Sequence, residues 1–288
     1  MTPHELVSGA GELISLPRAY HRVNEMLDDP RYGPVDIGHV IGHEPALTAR
    51  LLRLANSAAL RLPTKVDSVP MAITVLGTRS LRELLLATAV ATAFERINTK
   101  LVDVADFWHH SIYCGMLTRL LSRRLGWANS EQVFIGGLLH DLGKLVIYHQ
   151  LPYQASQVLT QIKRSQQPAY LIERELLGFD HARVGEALLK SWDLPEIFCE
   201  IVAHHHEPQA SSAYARETQL VYLANSLCKK IEPGHKLGDN ERGDEVLCRQ
   251  VAVQLGLSGE AMEELMLQAD VQSIELFGTL FSGTPASA

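Results

Sequence analysis

GGLLHDLGKLVIY, from Gly136 to Tyr148, decides how this chain is read, because it sets His140 directly before Asp141 inside an apolar run that reads as a buried helix. A carboxylate withdrawn from water loses several kcal/mol of hydration unless a cation or strong hydrogen bonds replace it. A divalent metal would supply that replacement, and neutral imidazole with a carboxylate oxygen suits zinc, iron, manganese or nickel. A satisfied ion pair would explain the dipeptide equally, so the rest of the chain has to decide. Gly136 and Gly137 each cost a helix about 1 kcal/mol relative to alanine. Either a neighbouring helix packs closely there or the backbone makes room for a cluster.

The other histidines are spread as a site built from several helices requires. His109 and His110 follow Trp108 in FWHHSIYCGMLTRLL, where Trp108, Ile112, Met116 and Leu120 form an apolar stripe at helical spacing. One histidine of that pair has to lie beside the stripe. His181 opens HARVGEALLKSWDLP directly behind Asp180, an expected N-cap. His204, His205 and His206 close EIVAHHHEP, and successive helical residues point about 100° apart, so at most two of the three converge on one centre. The third is expected to face outward. The competing role for a histidine run at a helix end is to oppose the negative end of the helix dipole. His4, His21, His39, His43, His149 and His235 show no clustering pattern and read as structural or surface residues.

Taken in order, His110-Ser111, then Gly-Leu-Leu-His140-Asp141-Leu-Gly-Lys144, then His181 with Val184-Gly185, then His205-His206-Glu207 resemble the HD superfamily of metal-dependent phosphohydrolases. The narrower resemblance is to the HDOD family, the HD-related output domains of bacterial signalling proteins. It is carried by LPRAYHRVNEMLDDP, by IGHVIGHEPALTARLLRLANSAAL with its Asn56-Ser57 pair, and by VDSVPMAITVLGTRSLRELLL with its Ala72-Ile73-x-x-Leu76-Gly77 turn. It covers roughly residues 12 to 230. The resemblance implies an all-α fold, a multi-helix HD-like domain preceded by a helical N-terminal subdomain. It also implies a metal set of His110, His140, Asp141, His181, His205 and His206.

Two departures bear on activity. The HD-GYP phosphodiesterases of cyclic di-GMP carry Asp-Gly-x-Gly-Tyr-Pro after the paired histidines, where this chain reads HEPQASSAYAR. HD hydrolases also close their metal set with a late Asp, and the matching position in LVYLANSLC is Asn225. An amide brings no negative charge to a cation, so metal affinity is expected to fall. The reading is therefore a bacterial signal-transduction output or interaction module of the HDOD type without catalytic turnover. The alternative is a metal-dependent phosphohydrolase or cyclic-dinucleotide phosphodiesterase. No catalytic residue is assigned; if the site is active, Lys144 is the group that counters phosphate charge. The expected cofactor is a divalent transition metal (iron, manganese, zinc or nickel), or none.

Composition fits a folded chain rather than a disordered one: 288 residues, 46% hydrophobic and 20% charged. A formal net charge of -7 argues against broad nucleic-acid binding. Arg50, Arg53, Arg61 and Lys65 form the arginine-rich stretch, which reads first as a solvated helix face. Cys114, Cys199, Cys228 and Cys248 show no CxxC pair and suit buried thiols in a reducing compartment. MTPHELVSGAGELISLP lacks the pattern of a signal peptide, and Leu84 to Phe94 is shorter than the roughly 20 residues of a membrane span, so a cytoplasmic location without a membrane partner is expected. That run reads as a core helix.

Helix punctuation recurs and strand patterns are almost absent. Helices are expected at 3–13, 18–29, 34–43, 45–57, 68–76, 78–96, 104–125, 130–149, 153–165, 168–178, 181–191, 195–206 and 213–232. Three consecutive segments follow: 1–98 as the N-terminal subdomain, 99–233 as the HD-like subdomain, and 234–288 as a linker with a C-terminal helical extension. KKIEPGHKLGDNERGDE reads as a surface linker and SGTPASA as a disordered end. EVLCRQVAVQLGL and SGEAMEELMLQADVQSIELF carry helical periodicity, with Ser258 as a cap, and are expected to cover the body or to mediate dimerisation. No receiver, kinase or cyclase segment is read in the chain. The expected partner is a signalling protein acting in trans, with a homodimer and a nucleotide ligand left open.

Overall fold

A computed structural model describes residues 1–57, 64–95, 97, 99–165, 167–228 and 245–281. Among these every regular element is helical. In chain order the α-helices are α1 (Pro3–Ala10), α2 (Arg18–Leu27), α3 (Pro34–Gly42), α4 (Pro45–Ala55), α5 (Val69–Ala93), α6 (Val104–Arg124), α7 (Ser130–Leu139), α8 (Leu142–Gln150), α9 (Pro152–Ser165), α10 (Ala169–Leu177), α11 (His181–Ser191), α12 (Glu196–His204), α13 (Ala215–Cys228), α14 (Glu245–Leu255) and α15 (Gly259–Phe281). The all-α architecture expected from the sequence is the one observed. The surface linker, the terminal SGTPASA, Arg61 and His235 lie outside the described residues.

The chain forms two compact units. One comprises Leu13–Arg96 with Val271–Ala288; the other comprises Met1–Glu12 with Ile97–Asp270. This is not a division into consecutive segments, because the first helix packs against α8 and α11 while the last turns of α15 join the other unit.

In the first unit, α5 carries the apolar run expected as a core helix, with Leu84, Leu85, Leu86, Ala87, Ala89, Val90 and Ala91 all buried. It is broken at Gly77, whose φ of 78° and ψ of 165° lie in a region closed to other residues, so the two helices read from sequence meet there end to end. Asn56 explains its own prominence. Its side-chain amide donates to the carbonyls of Leu52 and Val66 at 2.7 and 2.6 Å, and its Oδ1 accepts the Val66 N–H at 2.7 Å. One side chain thus ties the end of α4 to the chain ten residues on, satisfying the part-buried Val66 N–H and carbonyl, which belong to no helix.

In the second unit, start signals act as read. Thr2 and Glu5 form a capping box around Pro3, and Asp103 and Asp180 accept backbone N–H groups at the first turns of α6 and α11. The stripe of Trp108, Ile112, Met116 and Leu120 on α6 is buried. All four cysteines are free and buried. The helix expected over 130–149 is instead two helices, α7 and α8, with His140 and Asp141 in the turn between them. Neither Pro nor Gly marks that break. The helix expected over 195–206 likewise ends at His204, leaving His205 and His206 in the following turn.

Candidate metal centre

Close helix crossings fix where the histidines meet. At the crossing of α6 and α7, a Cβ on Gly137 would stand 2.8 Å from the Gly115 Cα, so only two glycines allow the backbones to come this near. At the crossing of α8 and α11, a Cβ on Gly143 would stand 2.0 Å from the His181 carbonyl oxygen. Gly136 lies beneath Ile201 of α12, so helix packing accounts for the paired glycines before His140. The first crossing brings His110 to His140, and the second brings His181 to Asp141.

Five imidazoles and one carboxylate converge as a result. The potential ligand atoms of His110, His140 and Asp141 lie within 4.8 Å of one another, and so do those of Asp141, His181, His205 and His206. Asp141 belongs to both groups and divides them. Its Oδ1 faces His181 Nε2 at 3.2 Å and His205 Nε2 at 3.5 Å. Its Oδ2 faces His140 Nε2 at 3.3 Å, His110 Nε2 at 3.6 Å and Lys144 Nζ at 3.0 Å. His109 is exposed, His204 is partly exposed, and neither joins a group. The expected limit of two converging residues from the triple histidine is thus what the structure has.

Hydrogen bonds orient the rings. His140 Nδ1 is 2.7 Å from the Gly137 carbonyl and His205 Nδ1 is 2.7 Å from the Val202 carbonyl. A carbonyl only accepts, so each Nδ1 carries the proton and each Nε2 turns a lone pair to the centre. His181 Nδ1 donates to Glu173 Oε2 at 2.6 Å and leaves its Nε2 facing inward in the same way. Nε2 atoms of His181 and His206 stand 2.8 Å apart, and those of His110 and His140 3.3 Å apart. Facing lone pairs at such distances need a proton or a cation between them.

Burial lowers the affinity of His140 and His205 for a proton, His205 down to about 4, against the opposing pull of Asp141; both are therefore neutral donors at neutral pH. Burial disfavours the charged form of His181 too, but the Glu173 and Asp141 carboxylates together outweigh it and, in the metal-free cluster, push this imidazole up to about 10. Asp141 is 2% exposed. Burial would raise its pKa, yet the Lys144 ammonium at 3.0 Å and the charged His181 imidazole hold it well below the usual carboxylate range.

A metal fits these residues on two observations. Asp141 Oδ1 and His205 Nε2 are buried and make no hydrogen bond among the described residues, which is costly unless something else satisfies them. The donor set, rich in neutral imidazole around one carboxylate, matches a divalent transition ion. Asn225, on α13, is buried, and its Oδ1 also lacks a hydrogen bond among the described residues.

A family model for the HDOD domain matches residues 13–208. The chain belongs to the HDOD domain family. Among solved structures, this HDOD chain is similar to a protein of Shewanella amazonensis SB2B provisionally named a phosphohydrolase, with 26% identity, 96% of this chain and 97% of that chain covered, and a TM-score of 0.74. It is also similar to an HDOD domain protein of unknown function from Geobacter sulfurreducens, with 25% identity, coverage of 99% and 97%, and a TM-score of 0.72. An uncharacterized protein of Treponema pallidum (strain Nichols) is 26% identical over 224 residues, which are 77% of this chain and 43% of that protein. The HDOD chain thus spans less than half the length of that curated relative.

Sequence reasoning missed the support on α10, where Tyr170, Glu173 and Arg174 all reach the cluster or its flanks. Glu173 precedes His181 by eight residues in an ordinary amphipathic pattern, and nothing in AYLIERELL marks it as buried. No helix of the described residues is long and apolar enough to cross a membrane.

Proposed function

We propose that this HDOD chain is a bacterial signalling output or interaction module that holds a divalent transition metal without turning over a substrate, and that it acts on a signalling partner in trans. Asp141, His181, His205 and His206 would hold the ion, with His110, His140 and Asp141 forming a weaker neighbouring group. Such an ion would supply Lewis acidity and an anchor for the four donors. The observation that carries the reading is the closure of the cluster: His140, His181 and His205 are 0% exposed and Asp141 2%. A cavity of about 710 Å³ in the same unit is lined by Thr2, His4, Phe179, Arg183 and Lys190 among others, and by none of the six cluster residues. Asn225 in place of a carboxylate and the absence of a GYP element after His206 point the same way.

A phosphohydrolase reading draws support from Lys144, a cation beside Asp141, and from the provisional name of the Shewanella relative. Lys144 is 8% exposed, however, and its ammonium is paired with Asp141 in the cluster itself. The test is elemental analysis of protein purified without a metal-affinity tag, with hydrolysis of cyclic di-GMP and of a generic phosphodiester measured on the same sample. Stoichiometric iron, manganese, zinc or nickel with no turnover is the expected result. Turnover that is lost with Asp141→Ala would replace the proposal with the hydrolase reading, and no metal at all would overturn the metal centre.

A further inference from the structure

The α9–α10 hairpin is built differently from the helices that carry the histidines. Val158, Ile162, Ala169 and Ile172 form a small apolar cluster of their own, with Leu159 and Leu177 packed against it. This core holds one face of α10. Another face presents Tyr170, Glu173 and Arg174, at the i, i+3 and i+4 spacing that places three side chains side by side.

Each of the three makes a different contact. The Tyr170 ring stacks on His206 with centroids 4.5 Å apart and planes 13° from parallel. Arg174 holds both flanks of the site: its Nε donates to Asp180 Oδ2 at 2.6 Å, and Nη1 and Nη2 donate to the two oxygens of Glu207 at 3.2 and 2.6 Å. Asp180 and Glu207 are the residues before His181 and after His206. Glu173, 2% exposed, takes two hydrogen bonds on one oxygen, from the His181 backbone N–H at 2.8 Å and from His181 Nδ1 at 2.6 Å.

We propose that α10 is the orienting element for the four-residue half of the cluster, with Glu173 the positioning residue that holds His181 with Nδ1 bonded outward and Nε2 directed at the ion. This rests on the metal-centre reading above and goes beyond it by assigning a residue that touches no ion. Glu173 belongs to neither donor group. A carboxylate behind a ligand imidazole fixes the ring and makes its other nitrogen a stronger donor, and loss of such a partner typically weakens metal binding about 10- to 100-fold. Burying a carboxylate for structural ends alone is a poor use of that position, because an amide could accept the same two hydrogen bonds without the desolvation cost of a charge.

That contrast sets the experiment. Glu173→Gln keeps the shape and an accepting oxygen but removes the charge. Affinity for zinc and for manganese is measured by competition with a chromophoric chelator in the full chain, beside the thermal midpoint of the metal-free protein. Glu131→Gln is the control, since Glu131 pairs with Arg119 and Arg123 and belongs to neither donor group. The expected result is a loss of metal affinity of about 10- to 100-fold in Glu173→Gln and none in Glu131→Gln. Equal affinity of Glu173→Gln and the parent would overturn the proposal. If the parent itself binds neither metal, the metal-centre reading fails, and crystal structures of the metal-free parent and of Glu173→Ala, which removes the accepting oxygen, still decide the positioning role. A His181 ring turned away from Asp141 only in the variant supports it, and an unmoved ring refutes it.

Discussion

The two halves of the cluster share Asp141 and differ in how their other members are held. Asp141 Oδ1 looks to His181, His205 and the α10 side, where Glu173 and the Val202 carbonyl bond the outer nitrogens of His181 and His205. Asp141 Oδ2 looks to His140, His110 and Lys144, where a protein cation already occupies part of the space around the carboxylate. The first half sets three imidazoles around an unsatisfied oxygen; the second sets two around an oxygen that Lys144 partly neutralises. Donor count alone therefore understates the difference. Preorganisation favours an ion on the Oδ1 side, where the His181 proton can give way to the metal, whereas the other side keeps the charge of Lys144.

The largest break in this comparison is Asp141→Ala, which removes the shared member. Metal content is expected to drop to zero in both halves by elemental analysis. The metal-free protein should also lose about 3 kcal/mol or more in denaturant unfolding, because Lys144 is left buried without its carboxylate. Retention of metal would mean that the histidines alone form the site.

Gly143→Ala comes next. Alanine would raise helix propensity by about 1 kcal/mol, but the new Cβ would meet the His181 carbonyl at 2.0 Å, a backbone atom with no freedom to give way. Overpacking of this kind costs about 1–3 kcal/mol and at such an overlap should reach the top of that range. The expected outcome is a lower unfolding midpoint together with weaker metal binding, since α8 and α11 carry Asp141 and His181. Gly115→Ala, whose Cβ would stand 2.9 Å from the Phe134 carbonyl, should unfold the protein less and spare metal on the Oδ1 side.

Asn225→Asp sharpens the comparison rather than breaking it. If the second half is one carboxylate short, the variant should bind a second equivalent of metal in titration calorimetry, while its metal-free form melts at a lower temperature than the parent because a new charge is buried. An unchanged stoichiometry would separate Asn225 from the site. The smallest effect is expected for Arg174→Ala, about 1 kcal/mol in thermal stability, because its pair with the half-exposed Glu207 is screened by water and the buried Asp180 keeps the Arg183 N–H on its other oxygen.

Most of the cluster is legible in the sequence because its members sit in short motifs. His140-Asp141, His181 behind its Asp180 cap and the paired histidines before Glu207 are all where the resemblance puts them, and His110 rather than His109 is the buried member of its pair. The break between α7 and α8 was not legible. A helix usually ends at Pro or Gly, and here His140 and Asp141 leave the helix because α8 turns to pack Gly143 against the His181 carbonyl. Glu173 was hidden for a related reason, since one glutamate among AYLIERELL looks like any exposed helix residue until the fold places a histidine against it.

The sequence by itself determined the helical class, the caps and breaks at Pro3, Asp180 and Gly77, and the identity of the six converging residues. These are carried by local spacing and by residue chemistry, which act within a few positions of the chain. Tertiary structure alone decided that Asp141 stands between two groups of donors, that Lys144 faces it, and that α10 backs His181. Those facts depend on how closely two pairs of helices cross, and a crossing distance is set jointly by residues far apart in the chain, such as Gly115 with Gly137 and Gly143 with Gly185.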